Sequence, residues 1–434
     1  MSSRQSERRS VLQPSAKAHQ QNAIAAPPRA DRDTRREALL EAAAAEFNAR
    51  GVSRASVSAI AKAKGLTRAA VYYYVRDRDD LVFQVYRKSC EIMAGDLDTA
   101  SSAGGDGLAK ISAFIRLSLD PRRAPVAVLT EIDYLKGEAR EAINQAHARN
   151  VEQLRAMIRE GAADGSLRPC DDEIVAQTLF GLIAWTPVSE DWVEGADSSY
   201  RARTVEALVD LVANGEAADP AFVFTPPISI AGFFPAAPKP FDRVAVAEAK
   251  VEHLLMTASQ VFNRRGLDGV SLEEIVAGLG ATKGALYHYL ENKTDLVVRC
   301  QERATDIYER IAEAADRLGR DGLEKAFTGL YLLVQAQASG LSPLIQMDGS
   351  QALPERARKA LMKRNRALQQ RYEGFGELGL RDGSFRSLDY AAVSQLGAGA
   401  FEWLPKWFEP GDPRAAEALT REIIDLFARG LRRR

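Results

Sequence analysis

Apolar residues recur at three- and four-residue intervals along most of the chain, and the runs end at glycine or proline instead of passing into period-two alternation. Leu39, Leu40, Ala42 and Phe47 put apolar groups on one face of a first helix, and Gly51 stands where a left-handed cap would end it. Ser56 then reads as the N-cap of a helix over Val57–Lys64 that Gly65 stops. Thr67 caps a short third helix over Arg68–Val75. The same punctuation returns later, where Ser271 and Glu274 form a capping box ahead of Gly280, Thr282 and a helix over Lys283–Leu290. Helix, glycine-containing turn, helix is the helix-turn-helix arrangement. No segment outside 216–243 shows sustained strand alternation, so the predicted fold class is all-α.

The two helix-turn-helix segments align without gaps. Setting each residue against the one 215 positions later gives 13 identities in the 35 positions from Phe47/Phe262 to Leu81/Leu296, Asn48/Asn263 and Tyr72/Tyr287 among them. The match resumes at an offset of 218, where Asp164-Gly165-Ser166-Leu167-Arg168 pairs with Asp382-Gly383-Ser384-Phe385-Arg386. Gln177, Gly181, Trp185 and Pro187 then pair with Gln395, Gly399, Trp403 and Pro405. Two matches in the same order make the chain one unit written twice.

Boundaries follow from composition. Residues 1–31 carry Ser, Gln, Ala and Arg with almost no large apolar side chain, which predicts a disordered tail. The segment 216–243 holds six of the chain's 18 prolines, so no helix continues through it. It also holds Phe222, Phe224, Phe233, Phe234 and Phe241, more aromatics than a free linker uses, which predicts a connector packed along a surface. Between these lie a first helix-turn-helix domain at 32–78, a first helical domain at 79–215, a second helix-turn-helix domain at 244–293 and a second helical domain at 294–434.

The third helix of each copy shows its chemistry by what it leaves outside. Val71/Val75 and Leu286/Leu290 sit at i and i+4 and form the buried side. Thr67, Arg68, Tyr72, Tyr73 and Arg78 are left outward, as are Thr282, Lys283, Tyr287, His288 and Lys293. A hydroxyl at a helix N-terminus, a cation one residue on, tyrosine hydroxyls and a closing cation suit phosphates along a major groove. Small residues at Ala69, Ala70, Gly284 and Ala285 let the backbone approach base edges. Tyrosines at helical spacing also fit the core of a small bundle, and Tyr74 and Tyr289 are the ones expected to be partly buried.

The pattern Gly51-x4-Ser56-x3-Ile60-Ala61-x3-Gly65-x-Thr67-x3-Val71-Tyr72-Tyr73-Tyr74-x3-Arg78-x2-Leu81 resembles the DNA-binding domain of TetR/AcrR-family transcriptional regulators, and Gly266–Leu296 resembles it as closely. Such regulators are normally about half this length, so the chain resembles two of them fused in tandem. The resemblance places DNA contacts on Arg68, Ala70, Tyr72, Tyr73, Tyr74 and Arg78, and on Lys283, Gly284, Tyr287, His288, Tyr289 and Lys293. Val75 and Leu290 replace the family's usual Phe, and Arg78 its usual Lys. The resemblance further implies that each helical domain binds a ligand, and that the last two helices of each copy dimerise. These helices, at about 172–187 with 199–214 and 389–404 with 413–430, would form a four-helix bundle within one chain, an intramolecular pseudo-dimer. The implied partners are double-stranded operator DNA, read by recognition helices ~34–36 Å apart or a multiple of it, and a small-molecule effector. Further self-association stays open. Around Trp403 and Trp407 the second copy is similar to regulators that respond to acyl-CoA thioesters, which makes Trp185, Trp403 and Trp407 candidate ligand contacts. Tryptophans beside dimerising helices serve equally as packing residues.

Charge refines the expectation. The chain carries 58 Lys and Arg against 59 Asp and Glu, a net −1 that hides local differences. The window 62–78 carries net +4 and the window 277–293 only +1, so the first head should supply most of the phosphate affinity. Because the two recognition sequences differ, the operator should have unlike half-sites. Four scattered histidines (His19, His147, His253, His288) and three cysteines without metal-like spacing indicate neither a metal nor a cofactor, and no catalytic constellation is present. The expected protein is a cytoplasmic regulator, most simply a repressor, and neither an enzyme nor a membrane protein. The alternative is a small-molecule-binding or protein-interaction protein whose heads no longer read DNA.

Overall fold

Local capping chemistry sets the helix starts. Ser56 Oγ accepts from the Ala59 amide and Thr67 Oγ1 from the Ala70 amide, both at 3.2 Å, fixing the two turns of the first helix-turn-helix. At Ser271 the capping box closes both ways: Glu274 donates its amide to Ser271 Oγ at 3.2 Å, and its carboxylate accepts from the Ser271 amide at 2.8 Å. The computed structural model describes residues 29–190, 198–237, 239, 241–267, 269–278, 290–345 and 353–434.

Helices α1 (Arg29–Arg50), α2 (Val57–Ala63) and α3 (Arg68–Val71) make the first head. The first helical domain follows as α4 (Arg78–Ser102), α5 (Gly107–Ser118), α6 (Gly137–Asp164), α7 (Asp172–Glu190) and α8 (Ser198–Asn214). The second copy repeats the order with α9 (Arg243–Arg265), α10 (Leu272–Gly278), α11 (Lys293–Leu318), α12 (Gly322–Ala338), α13 (Glu355–Asp382), α14 (Tyr390–Val393), α15 (Ala398–Glu402) and α16 (Pro413–Arg429). No strand occurs among the described residues beyond two isolated bridges, and no described helix is long and apolar enough to cross a membrane.

The tandem units pack as an internal pseudo-dimer: α7 and α8 of the first half meet α14, α15 and α16 of the second. Residues related by the repeat exchange equivalent contacts. A methyl group at Gly181 would lie 2.5 Å from the Gly399 carbonyl oxygen, and one at Gly399 would lie 2.7 Å from that of Gly181. The Trp185 indole donates to the Gln395 carbonyl at 2.6 Å, and the Trp403 indole reaches Gln177 Oε1 at 3.5 Å. Glu216 and Leu431 donate their amides to Phe427 and Val212, each at 2.8 Å. Such reciprocity is the signature of an isologous interface, here inside one polypeptide. The repeated Asp-Gly-Ser motif finds its reason here too. Asp164 and Asp382 accept from the Gly107 and Gly322 amides at 2.9 Å, while Arg168 and Arg386 donate across the axis to the carbonyls of Gly430 and Gly215.

Two expected helices differ. The helix expected over 389–404 is broken into α14 and α15, because Gly397 and Gly399 stand where the first copy has a single Gly181, and each glycine lowers helix stability by about 1 kcal/mol. The helix expected over 68–75 is regular only to Val71; the amides of Tyr72, Tyr73 and Tyr74 bond three residues back, tightening the last turn. Residues 1–28 of the expected tail lie outside the described part, and 29–31 open α1.

The connector is not slack. Phe222 and Phe224 stand edge-on to Phe327, Ile230 and Phe233 are buried, and the Arg310 guanidinium lies over the Phe233 ring. Phe241, by contrast, is fully in solvent. The apolar core runs unbroken from the second head through both helical domains, whereas the first head has its own cluster built on Leu39, Phe47, Ile60, Val71 and Tyr86.

Candidate nucleic-acid interface and effector cavities

In the first head Val71 and Val75 are buried, which turns the opposite side of the third helix outward. Thr67, Arg68, Tyr72 and Tyr73 are exposed, Tyr73 by 77%, and Ala70 and Tyr74 are half-buried, with Tyr74 leaning on the head's core. The Arg68 guanidinium makes no hydrogen bond or ion pair with the described residues, so its donors are available to a phosphate.

The other cations divide differently from their sequence count. Lys64 stands 4.0 Å from Glu41 and Arg76 is 3.5 Å from Asp80. Arg78 donates to the carbonyls of Val52 at 2.5 Å and Ser53 at 2.9 Å, and its guanidinium lies 5.9 Å from the centre of the Tyr134 ring. Arg78, expected as a closing phosphate contact, ties α4 to the loop after α1. Lys293 repeats this, donating to the Val270 carbonyl at 2.6 Å. The remaining predicted contacts of the second head, Thr282, Lys283, Gly284, Tyr287, His288 and Tyr289, lie outside the described residues. The expected spacing of ~34–36 Å between recognition helices falls on those same residues.

Sequence reasoning missed how the heads are held. Asn48, at the end of α1, donates to the Val126 carbonyl at 2.8 Å and accepts from the Val128 amide at 2.9 Å. Asn263 does the same with Pro343 and Ile345, both at 2.9 Å. Each asparagine closes a two-point clamp between head and helical domain; the identity Asn48/Asn263 was the signal. Glu131 adds an asymmetric tie. Buried beneath the first head, its carboxylate accepts from the Val52 and Ser53 amides at 3.1 Å and the Ser53 hydroxyl at 2.7 Å, while a methyl group at Gly266 of the second head would lie 2.7 Å from its Cγ. Both heads thus converge on one side chain. Asn48→Ala is expected to lower stability by about 2 kcal/mol, from two hydrogen bonds, and to release the Val128 amide to rapid hydrogen exchange without disturbing α7. Continued protection of that amide would show that the clamp holds nothing.

Among the described residues, two cavities open in the helical domains. The first, about 380 Å³, runs between α4, α6 and α7 and reaches Asn48. Arg123, Arg201 and His147 are on its wall, with Phe180, Cys90 and Met93. Arg123 pairs with the buried Asp96. His147 is enclosed edge-on between Phe180 and Trp403, and burial pushes its imidazole down to about 4, leaving it neutral. The second cavity, about 190 Å³, lies in the second half and is walled by Phe327, Tyr372, Tyr390 and Phe401, with Glu216 and Glu402 as its acidic residues. Among the candidate tryptophans, Trp185 of the first half lines the second cavity and Trp403 of the second half lines the first. Each half therefore completes the other's cavity. Trp407 lies on neither and packs on Phe408. Among the described residues no cluster of His, Cys, Asp or Glu is arranged to hold a metal.

Comparison with known proteins fits this duplicated plan. The family model described as bacterial regulatory proteins, tetR family, matches residues 39–85 and again 254–300. A second, described as tetracyclin repressor-like, C-terminal domain, matches 109–188 and 325–431. Curated relatives include the HTH-type transcriptional repressor KstR2 of Rhodococcus jostii, 24% identical over 200 residues, covering 45% of this chain and 97% of that protein. KstR2 of Mycolicibacterium smegmatis is 25% identical over 206 residues, covering 44% and 94%. Among solved structures, AibR in complex with isovaleryl coenzyme A and operator DNA aligns with 20% identity and a TM-score of 0.35, covering 41% of this chain and 98% of that one. Each relative corresponds to about half of the chain.

Proposed function

Since the chain belongs to the tetR family of bacterial regulatory proteins and carries two of its units in tandem, we propose that it is a ligand-released repressor that grips an asymmetric operator with two unlike heads. The observation that carries this reading is the first head: a capped, rigid turn that presents Arg68, Tyr72 and Tyr73 to solvent, clamped by Asn48 to a cavity in its own helical domain. Thr67, Ala70 and Tyr74 would shape the same face, and Thr282, Lys283, Gly284, Tyr287, His288 and Tyr289 would form its counterpart. Arg78 and Lys293 would act by holding the heads rigid.

An acyl-CoA thioester is the effector we assign to the first cavity. Its acyl chain would lie among Phe180, Met93 and Cys90, and the cations Arg123 and Arg201 at the wall suit its phosphates. Because the Asn48 amide is part of that wall, a ligand that fits only when the 125–128 loop shifts would favour a head orientation that DNA does not. KstR2 is named a repressor and AibR was crystallised with an acyl-CoA and operator DNA, which supports both the sign and the ligand class.

Selection of bound sequences from a random DNA pool, followed by fluorescence anisotropy, tests the reading. The expected site has two unlike half-sites, and short acyl-CoAs should weaken binding about 10- to 100-fold, the usual range of coupling between sites. Free coenzyme A should do less. A perfect palindrome as the best site would remove the asymmetry, and failure to enrich any sequence would favour a binding protein that no longer reads DNA.

A further inference from the structure

Glu216 is the first residue of the connector, and the repeat sets it against Leu431 at the chain's end. Both backbones make equivalent cross-axis hydrogen bonds and both side chains are buried. The side chains are chemical opposites. Glu216 puts a carboxyl on the wall of the second cavity, and that carboxyl has no hydrogen-bond partner among the described residues. A buried carboxyl without a partner is costly to keep, and a leucine stands in the equivalent place of the other half, so packing alone does not call for an acid here. The Tyr372 and Tyr308 hydroxyls on the same wall are also buried without a hydrogen-bond partner among the described residues. Around them stand Phe327, Phe401 and Phe427 with the phenol of Tyr390; Glu402 is the other acid, and among the described residues no lysine, arginine or histidine lines the cavity.

Acid groups among aromatic faces are the chemistry that holds organic cations. We propose that this cavity is a second effector site, selective for a compact aromatic or quaternary ammonium held by Glu216 and the Tyr372 side, so that one chain answers to two ligands of opposite charge. This rests on the reading of the helical halves as effector domains. Size agrees: a cavity of roughly 150 Å³ accepts benzene, and this one is about 190 Å³. The first cavity differs in carrying arginines, Arg123 and Arg201, on its wall beside one acid, Asp120.

The titration of Glu216 gives the site a signature. Burial pushes its carboxyl up to about 8, against the opposing pull of Arg386, whose guanidinium is paired with Asp210. The phenols of Tyr390 and Tyr372 face it and are themselves raised by burial, staying neutral over the same range, while Glu373 lies behind Tyr390 and Glu402 closes the cavity. A fixed-charge ammonium binds the ionised form, so its affinity should rise about tenfold between pH 7 and pH 9 as that fraction grows.

Calorimetric titration of the full chain with benzyltrimethylammonium, and separately with 3-phenylpropanoate, is the test. The ammonium should bind and the anion should not. Glu216→Gln should weaken the ammonium at pH 9 by about tenfold or more and abolish the pH dependence. Glu216→Leu, which copies Leu431, should do the same with an unchanged or higher melting temperature. Equal binding of the anion, unaltered ammonium affinity in Glu216→Gln, or no ammonium binding to wild-type protein would overturn the proposal. If the Gln variant fails to fold, the anion comparison and the wild-type pH profile still decide. Anisotropy with the selected operator separates the two readings. Ammonium binding that leaves DNA affinity unchanged would overturn the effector role of this cavity, whereas loss of ammonium binding in a chain still released by acyl-CoA would overturn this site alone.

Discussion

Replacing Arg68 and Tyr73 by alanine together is expected to lower operator affinity about 100-fold while leaving the melting temperature almost unchanged. Both side chains stand in solvent on the first head, and neither belongs to its core. Surface substitutions of this kind usually move stability by no more than about 0.5 kcal/mol. Loss of a phosphate-gripping cation should also reduce the slope of log affinity against log salt by about one. Arg78→Ala provides the contrast. Its guanidinium holds the carbonyls of Val52 and Ser53, so its removal should lower melting temperature and DNA affinity together. Anisotropy titrations at several salt concentrations, with thermal melts of each variant, separate the two patterns. Wild-type affinity in the Arg68/Tyr73 double variant would move the DNA contact off this face.

Much of the fold was legible because the chain is written twice. Caps at Ser56, Thr67 and Ser271 and stops at Gly51 and Gly65 are short-range signals, and each acts within four residues. What sequence could not supply is distance. Arg78 reads as a cation in any count of charge, but the carbonyls it bonds are 25 and 26 residues away and have no side-chain signature. Asn48 is visibly repeated at Asn263, yet its loop partners lie about 80 positions on and are backbone atoms. The tryptophans were recognisable as repeat mates, but nothing in the repeat says that Trp185 and Trp403 cross to each other's cavity. Glu216 was hidden differently. It falls at the first position of a segment whose prolines mark it as a connector, and only the fold turns that position inward against Phe427.

Gly399→Leu is expected to disable the molecule without touching either head. Leucine is the better helix former by about 1 kcal/mol, so the variant strengthens α15 locally. It nonetheless forces a side chain into the crossing: a β-carbon alone would stand 2.7 Å from the Gly181 carbonyl oxygen and 2.9 Å from Trp185 Cβ. A backbone atom cannot step aside as a flexible side-chain end can, so the bundle has to separate, and overpacking of this kind costs about 3 kcal/mol or more. Separation leaves the heads joined through a connector of 28 residues, whose extended reach is of order 80 Å at about 3.1 Å per residue. Rigid placement then gives way to a tether, and the second head meets its half-site only at the effective concentration that tether allows. Operator affinity should fall at least about 100-fold, approaching that of one head alone, and sedimentation should show new association through the opened faces of α7 and α16. Gly181→Leu should behave alike, because the crossing is reciprocal. A Gly399→Leu chain that melts as wild type, sediments as wild type and binds its operator unchanged would mean that the two halves do not need this crossing to hold their heads in place.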